Sequence, residues 1–167
     1  MLQNELYNSP LMMRKAAARG MDVVFNPSPV NAQIHDYPLS CARWLILNEL
    51  EGAALADGAS QPEEILRVLR QKYPRTGILL TLGAEGCLCL DGDRLLRQAA
   101  FPVKTVDTTA AGDTFTGYFV TGLSRGDALP DILRRASLAA ALAVTRPGAA
   151  DSIPREAEVE ARLKEIR

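Results

Sequence analysis

Short apolar runs alternate along this chain with longer segments that have helical periodicity. The apolar runs have the length of β-strands, and strands are predicted at Asp22–Phe25, Trp44–Leu47, Gly77–Leu82, Cys87–Leu90 and Phe101–Val106. This alternation is typical of an α/β fold in which helices flank a mainly parallel sheet. With 167 residues, 47% of them apolar, the chain is long enough for one sizeable core in one globular unit.

Several elements carry recognisable start and stop signals. The helix Leu11–Arg19 ends before Gly20. The stretch Ser60-Gln-Pro-Glu63 predicts another helix start, with Ser60 as N-cap, an early proline and a capping-box glutamate. Further helices are predicted at Gly112–Ser124, Pro130–Thr145 and from Ser152 to Ile166, and a β-hairpin is predicted around Asp91-Gly-Asp93.

The formal net charge is −1, with acidic and basic residues mixed along the chain. This composition offers no electrostatic footprint for nucleic acid or an anionic membrane, so a small molecule is the expected partner. Cys41, Cys87 and Cys89 lack the companions that a four-ligand metal site needs, and reduced thiols in a cytoplasmic protein are expected. No apolar run approaches the roughly 20 residues of a membrane-spanning helix.

The most informative segment runs from Asp107 to Phe115 and reads Asp-Thr-Thr-Ala-Ala-Gly-Asp-Thr-Phe. Small residues follow a predicted strand and lead into a helix, whose first N–H groups and dipole attract an anion such as a phosphate. Asp113 could accept a proton from a substrate hydroxyl while the neighbouring amides hold that phosphate. The same residues also fit an N-cap aspartate after an ordinary strand-to-helix turn.

This segment closely resembles the C-terminal signature of the ribokinase family, the phosphofructokinase-B type of sugar kinase. Four other segments agree with that family in the same order: Asn26-Pro27-Ser28-Pro29, Asn48-Glu-Leu-Glu51, Thr81-Leu-Gly83-Ala-Glu-Gly86 and Thr145-Arg-Pro-Gly148. The resemblance implies a ribokinase-like fold and ATP-dependent phosphoryl transfer to a sugar hydroxyl. Asp113 would be the general base, and the amides of Ala110, Ala111, Gly112 and Asp113 would form the anion hole.

The resemblance also implies nucleotide and magnesium contacts. Asn48 and Glu51 form an N-x-x-E motif that positions magnesium, water and phosphates in the family, with Glu51 acting indirectly. By themselves these two residues also fit a solvated helix start. The glycines after Thr81 would let the main chain pass close to ATP. The implied ATP contacts are Asn48, Thr81, Leu82, Gly83, Ala84, Glu85, Gly86, Gly112 and Ser137.

A monovalent cation beside the anion hole is a further implication of the resemblance, with potassium as the expected activator. The matching positions are Asp107, Thr109, Ala143, Arg146, Gly148 and Ser152. Asp107 alone also fits a commoner role, that of an aspartate capping a local turn before threonines.

Gly122-Leu-Ser124-Arg-Gly126 fits the Gly-x-Ser-x-Gly pattern of an α/β-hydrolase nucleophile. Ser124, however, ends a predicted helix instead of standing between a strand and a helix, and the only histidine, His35, precedes it. Both features argue against a hydrolase. His35 is expected to be a loop residue and not a metal ligand.

By this resemblance, residues 1–167 are a single C-terminal portion of a ribokinase-like kinase domain. The N-terminal half, which in the family carries most sugar-recognition residues, a lid and lid-mediated dimer contacts, has no match here. Little sugar kinase activity is therefore expected of the chain alone. The alternative is a non-catalytic nucleotide-binding or interaction remnant. An exposed sheet edge or apolar surface is also expected, with self-association or binding of the missing half as its consequence.

Overall fold

A computed structural model describes residues 1–166, which divide into two compact units. The first unit contains Met1–Leu82 and Leu88–Arg97, and the second contains Gly83–Cys87 and the chain from Gln98 onward. No helix among the described residues is long and apolar enough to cross a membrane. That residues 1–167 act as one portion of a kinase domain stays a prediction.

The strands lie in the sheet in their order along the chain. The first four pair in parallel, whereas the short connections after the fourth and fifth strands require antiparallel neighbours. Their bounds are β1 Leu2–Gln3, β2 Val24–Asn26, β3 Trp44–Asn48, β4 Gly77–Thr81, β5 Cys87–Asp91 and β6 Arg94–Gln98. The α/β fold with a mainly parallel sheet is confirmed.

The core of the first unit forms around β3 and β4. Trp44–Leu47 and Ile78–Leu80 are buried, as expected for parallel strands covered on both faces. Apolar side chains of three helices pack into the same cluster, among them Met13, Leu55 and Leu69. These helices are α1 Ser9–Ala18, α2 Glu49–Leu55 and α3 Pro62–Lys72. The strands thereby hold their carboxyl ends in fixed register.

The second unit is mainly helical. Its helices are α4 Ala111–Arg125, α5 Leu129–Ala143 and α6 Glu156–Glu165. Helix α5 packs against α4 and α6. The α4–α5 contact is close because Gly122 has no side chain, and a Cβ there would lie 2.7 Å from Ile132. Leu138, Ala139 and Val159 form the small core between α5 and α6.

The predicted hairpin is present, and Gly92 at its turn has φ of +60°. The predicted strand Phe101–Val106 is wrong, since this segment has no regular structure. Pro102 has no N–H for a ladder, and Val103 and Val106 are more than one-third exposed. An apolar composition alone therefore did not produce a strand.

Two predicted helix starts also differ from the structure. Helix α3 has Gln61 as its N-cap without a side-chain cap, so the predicted Ser60 capping box is wrong, although Pro62 is the first helical residue as expected. The last helix begins at Glu156 instead of Ser152. A separate 3-10 turn covers Ala150–Ser152. Pro154 then cannot supply an N–H to a continuous helix.

Candidate functional site

The motif Asn48-Glu-Leu-Glu51 starts α2 directly at the end of β3. The Asn48 side chain accepts the Glu51 N–H at 2.9 Å, and the Glu51 carboxylate accepts the Asn48 N–H at 3.0 Å. This reciprocal pair is a capping box. The helix start expected from the residues alone is therefore present, but Glu51 is only 3% exposed and is not solvated.

Asn26, at the end of β2, is a functional candidate that sequence reasoning missed. Its side-chain amide donates to Glu51 Oε2 at 3.3 Å and to the Ile46 carbonyl at 2.8 Å. A buried carboxylate needs such donors because leaving water destabilises its charge. The family resemblance included Asn26 in the segment Asn26-Pro27-Ser28-Pro29 but gave it no role, and its partner Glu51 lies 25 residues away along the chain.

Thr81 stands at the same level of the sheet as Asn48, because the two are register partners in β3 and β4. Its hydroxyl donates to the Leu47 carbonyl at 3.2 Å, and Leu82 after it is buried. Open α/β sheets bind their ligands outside the carboxyl ends of parallel strands. In the first unit, the structure thus brings the predicted residues Asn48, Glu51 and Thr81 to that edge.

The residues after Leu82 belong to the second unit and form a short turn. Gly83–Glu85 is a 3-10 helix whose residues, Ala84 included, are exposed. Gly86 has φ of +100°, and a Cβ there would lie 2.0 Å from the Gln98 carbonyl oxygen. Gly86 is therefore required by the chain's own backbone, whereas Gly83 faces open space.

Helix α4 begins inside the segment predicted to bind phosphate. Its N-cap is Ala110, which has φ of +62° in the left-handed region and makes no side-chain cap. The Ala111 N–H donates to the Thr108 carbonyl at 3.2 Å, so this amide is engaged within the chain. The first N–H groups of a helix, together with its dipole, attract anions. The amides of Gly112 and Asp113 are in those first positions.

Asp113 lies in the first turn of α4 and is exposed. The simpler interpretation of this residue as an N-cap is wrong, because Ala110 occupies that position. Asp113 lines a groove of about 310 Å³ together with Gly117 and Thr121 of the same helix. Next to it, Gly112 is exposed, and a Cβ there would meet no atom within 4 Å. A ligand can therefore approach this helix end closely.

Asp107 joins two segments predicted to hold a monovalent cation. Its Oδ1 accepts the Thr109 N–H at 2.9 Å, and its Oδ2 accepts the Gly148 N–H at 3.0 Å. The Thr109 hydroxyl, the Thr109 N–H and the Gly148 N–H together lower the pKa of the Asp107 carboxyl. Asp107 thus caps its local turn and also contacts a residue 41 positions away.

The other predicted cation ligands lie after or at the end of α5. The Ala143 carbonyl accepts the Arg146 N–H at 3.2 Å. Ser152 is buried, and its hydroxyl donates to the Ala149 carbonyl at 2.8 Å. The Arg146 guanidinium forms an ion pair with Glu158 of α6. Each of these residues therefore has a structural bond of its own in addition to the role implied by the resemblance.

Ser137, a predicted ATP contact on α5, is buried beside Cys87. Burial raises the pKa of the Cys87 thiol to about 11, while the Ser137 hydroxyl and the Gln98 backbone oppose this shift. The Ser137 oxygen itself has no hydrogen bond of normal geometry among the described residues, so its contact with the thiol is weak. A buried hydroxyl in this state can accept a further partner.

The residues of the hydrolase pattern do not form a nucleophile elbow. Ser124 lies in the last turn of α4, where its hydroxyl donates to the Thr121 carbonyl at 2.7 Å. Gly126 caps that helix with φ of +73°. His35 is exposed in a short 3-10 turn, as expected for a loop residue. The three cysteines are free thiols.

Residues 10–156 match the model of the pfkB family carbohydrate kinases. The chain belongs to this family. Among its pfkB relatives, the ribokinase of Schizosaccharomyces pombe is 37% identical over 158 residues, which cover 90% of this chain and 49% of the relative. The ribokinase of Lactococcus lactis is 34% identical over 167 residues, covering 99% of this chain and 53% of the relative.

Solved pfkB structures share the fold. The Arabidopsis thaliana ribokinase complexed with ribose and ATP superposes with a TM-score of 0.89 at 28% identity, covering 98% of this chain and 55% of that protein. The chain thus spans about half the length of the relatives that it matches. This partial coverage agrees with the family resemblance of the segment around Asp113. It also agrees with the interpretation of the chain as the C-terminal half of a ribokinase-like kinase.

Proposed function

We propose that this chain contributes to ATP-dependent phosphoryl transfer to a sugar hydroxyl, as a ribokinase-like carbohydrate kinase. The observation that carries the proposal is the start of α4, where Asp113 stands exposed in the first turn behind Ala110, a residue with no capping side chain. A carboxylate in the first turn of a helix combines a proton acceptor with a helix N-terminus, which attracts an anion. Relatives named ribokinase supply the reaction class.

In the proposed reaction, the sugar hydroxyl attacks the γ-phosphorus of ATP in line with the leaving oxygen of ADP. Asp113 takes the hydroxyl proton as the new O–P bond forms. The amides of Gly112 and Asp113 stabilise the charge that develops on the transferred phosphoryl oxygens. The Ala111 amide contributes less than the resemblance implies, because Thr108 already accepts its hydrogen.

The residues present fit a magnesium ion held indirectly. Glu51 accepts both of its side-chain hydrogen bonds through one oxygen, Oε2. A carboxylate held through one oxygen can offer the other to a metal-bound water. Across residues 1–166, no group of three or more His, Cys, Asp and Glu side chains is arranged to hold a metal. When bound with ATP, magnesium would neutralise phosphate charge.

The predicted potassium site also has suitable chemistry. The side chain of Asp107 and the hydroxyl of Ser152 are oxygen donors, and hard cations prefer oxygen ligands. The main-chain carbonyls at the other predicted positions, Thr109, Ala143, Arg146 and Gly148, are oxygen donors too. Asp107 holds Thr109 and Gly148 close together. We therefore propose that a potassium ion binds among these predicted residues. For ATP, the buried Ser137 hydroxyl and the exposed turn after Leu82 are the proposed contacts.

Asp113→Asn tests the proposed base. We expect the rate of sugar phosphorylation to fall about 10²–10⁴-fold while ATP binding changes little, because the amide cannot take the proton. The assay uses this chain alone and joined to the half of a ribokinase relative that it does not match. The chain alone is expected to have little activity, because it spans only about half the length of these relatives.

Asp131→Asn is the matched control, since Asp131 is an exposed acid in the first turn of α5. This control should keep full activity in the joined protein. Normal phosphoryl transfer by the joined protein carrying Asp113→Asn would contradict the base assignment. ATP binding without any phosphoryl transfer in either form would favour a non-catalytic nucleotide-binding remnant.

A further inference from the structure

We infer that Asn26 is a positioning residue that orients the Glu51 carboxylate for the magnesium ion of the nucleotide. The inference rests on the proposed function and adds a residue to it. Asn26 ends β2, whereas Glu51 lies in the first turn of α2. The link between them crosses strand β3, because Asn26 also bonds to the Ile46 carbonyl of that strand.

The amide of Asn26 has one possible orientation. Its nitrogen lies 2.8 Å from the Ile46 carbonyl oxygen and 3.3 Å from Glu51 Oε2, and both partners can only accept. Its oxygen accepts from Gln3 Nε2 at 3.5 Å, at the long limit for a hydrogen bond. Both amide hydrogens are therefore committed, one to the sheet and one to the carboxylate.

The register of the sheet explains why Asn26 can reach both partners. Phe25 is the last residue of β2 with a register partner in β3, namely Leu45. One position later, the side-chain amide of Asn26 donates to the carbonyl of the next residue of β3, Ile46. Gln3 is the register partner of Asn26 in β1. Three neighbouring strands thus fix the amide beside the start of α2.

Glu51 needs this second donor for its orientation. The capping box alone supplies one bond, from the Asn48 N–H to Oε2. A carboxylate held by one bond can still rotate about it, whereas two donors on the same oxygen from different elements fix the plane of the group. Because Glu51 is 3% exposed, water competes little for these bonds. The other carboxylate oxygen is thereby given a defined direction.

Magnesium-dependent ATP binding by the full chain tests the inference. In calorimetry at a series of Mg²⁺ concentrations, ATP affinity should rise with magnesium for the unsubstituted chain. Asn26→Leu keeps most of the side-chain volume and removes both donors. The Mg²⁺ concentration that gives half of this rise should increase about tenfold or more, as is common when an outer-shell partner of a metal ligand is lost. Asn26→Ala should give the same increase.

Thr76→Val is the matched control. Thr76 is buried, and its hydroxyl donates to the Ala42 carbonyl at 2.9 Å, so this variant also removes a side-chain hydrogen bond to a main-chain carbonyl. It should leave the magnesium dependence unchanged, and melting curves should show that all variants fold. A purely structural role for Asn26 would lower the melting temperature without moving the magnesium dependence.

Three outcomes would count against the inference, and they are distinguishable. Unchanged magnesium dependence in folded Asn26→Leu or Asn26→Ala, with normal behaviour of the unsubstituted chain, overturns the positioning role alone. Failure of both Asn26 variants to fold while Thr76→Val folds makes Asn26 a structural residue and overturns it too. ATP binding by the unsubstituted chain that ignores magnesium overturns the magnesium part of the proposed function and this inference with it.

Discussion

At the scale of single residues, Asp107 has the turn-capping role that its sequence allows, while its role as a cation ligand stays a prediction. It caps its own turn through the Thr109 N–H and holds Gly148 through its second oxygen. Both oxygens of the Asp107 carboxyl group accept a hydrogen bond, and the ionised form of a carboxyl group is an acceptor at both of its oxygens. The bonds therefore favour the charged form, which is why the pKa of Asp107 is lowered.

Asp107→Asn should lower the melting temperature in a pH-dependent way. A pKa that is lower in the folded chain adds stability above the ordinary pKa of aspartate and loses it as pH falls through the lowered value. The unsubstituted chain should melt higher than the variant at pH 7, and the difference should shrink below about pH 4. Calorimetric melting between pH 7 and pH 3 measures it. A pH-independent difference would mean that the charge contributes nothing.

At the scale of elements, the turn between β4 and β5 contains two glycines with different requirements. Gly86 packs against the backbone of Gln98 and Ala100. A Cβ atom added at Gly86 would lie 2.0 Å from the Gln98 carbonyl oxygen and 2.6 Å from the Ala100 nitrogen. Gly83 has φ of +53° but open space around it. The sequence predicted one shared role, close passage of main chain to ATP. Of the two glycines, only Gly83 is exposed, and its contact with ATP stays a prediction.

Gly86→Ala and Gly83→Ala should therefore separate folding from binding. We expect Gly86→Ala to lower the free energy of unfolding by about 3 kcal/mol, because the backbone around it must move. Gly83→Ala should cost only about 1 kcal/mol, from its positive φ. Urea denaturation measures both. Folded Gly83→Ala should bind ATP more weakly in calorimetry, and unchanged ATP affinity would argue against contact at this turn.

Elements with dense local signals were predictable from the sequence, and elements defined by their neighbours were not. The hairpin around Asp91-Gly-Asp93 is present as predicted, and Arg94–Gln98 is its second strand. Strand β1 was missed because two residues carry no periodic signal. Phe101–Val106 was overestimated because apolar composition does not reveal whether a strand partner exists. Pairing is a property of the fold and not of the segment.

The candidate site shows the same division. The positions of Asn48 at a strand end and Asp113 at a helix start followed from local patterns and from the family resemblance. The burial of Glu51 and its bond to Asn26 could not be predicted in this way, because both depend on the order and register of β2 and β3. Ala110 as N-cap was equally hidden, since alanine is disfavoured at positive φ.

At the scale of the whole molecule, the chain matches about half the length of its relatives and exposes apolar side chains near β1. Leu6, Tyr7 and Leu11 line one concave surface of the first unit, and each is at least half exposed, Tyr7 to 97%. Strand β1 is also the first strand of the sheet, so its outer edge is an edge of that sheet. Exposed apolar surface beside a strand edge favours association.

The isolated chain should therefore self-associate in a concentration-dependent way through this surface. Size-exclusion chromatography with light scattering should give a mass above that of one chain, 18.1 kDa, at high concentration and a falling mass on dilution. Replacing Leu6, Tyr7 and Leu11 by glutamine should shift the equilibrium toward the single chain, because the association would bury less apolar surface.

The matched control replaces Met21 and Leu95, which are at least half exposed but do not line this surface. An equal shift in the control, or a single-chain mass at every concentration, would show that the surface near β1 does not drive association. If the half of a relative that this chain does not match suppresses self-association when added, then the same surface serves that partner.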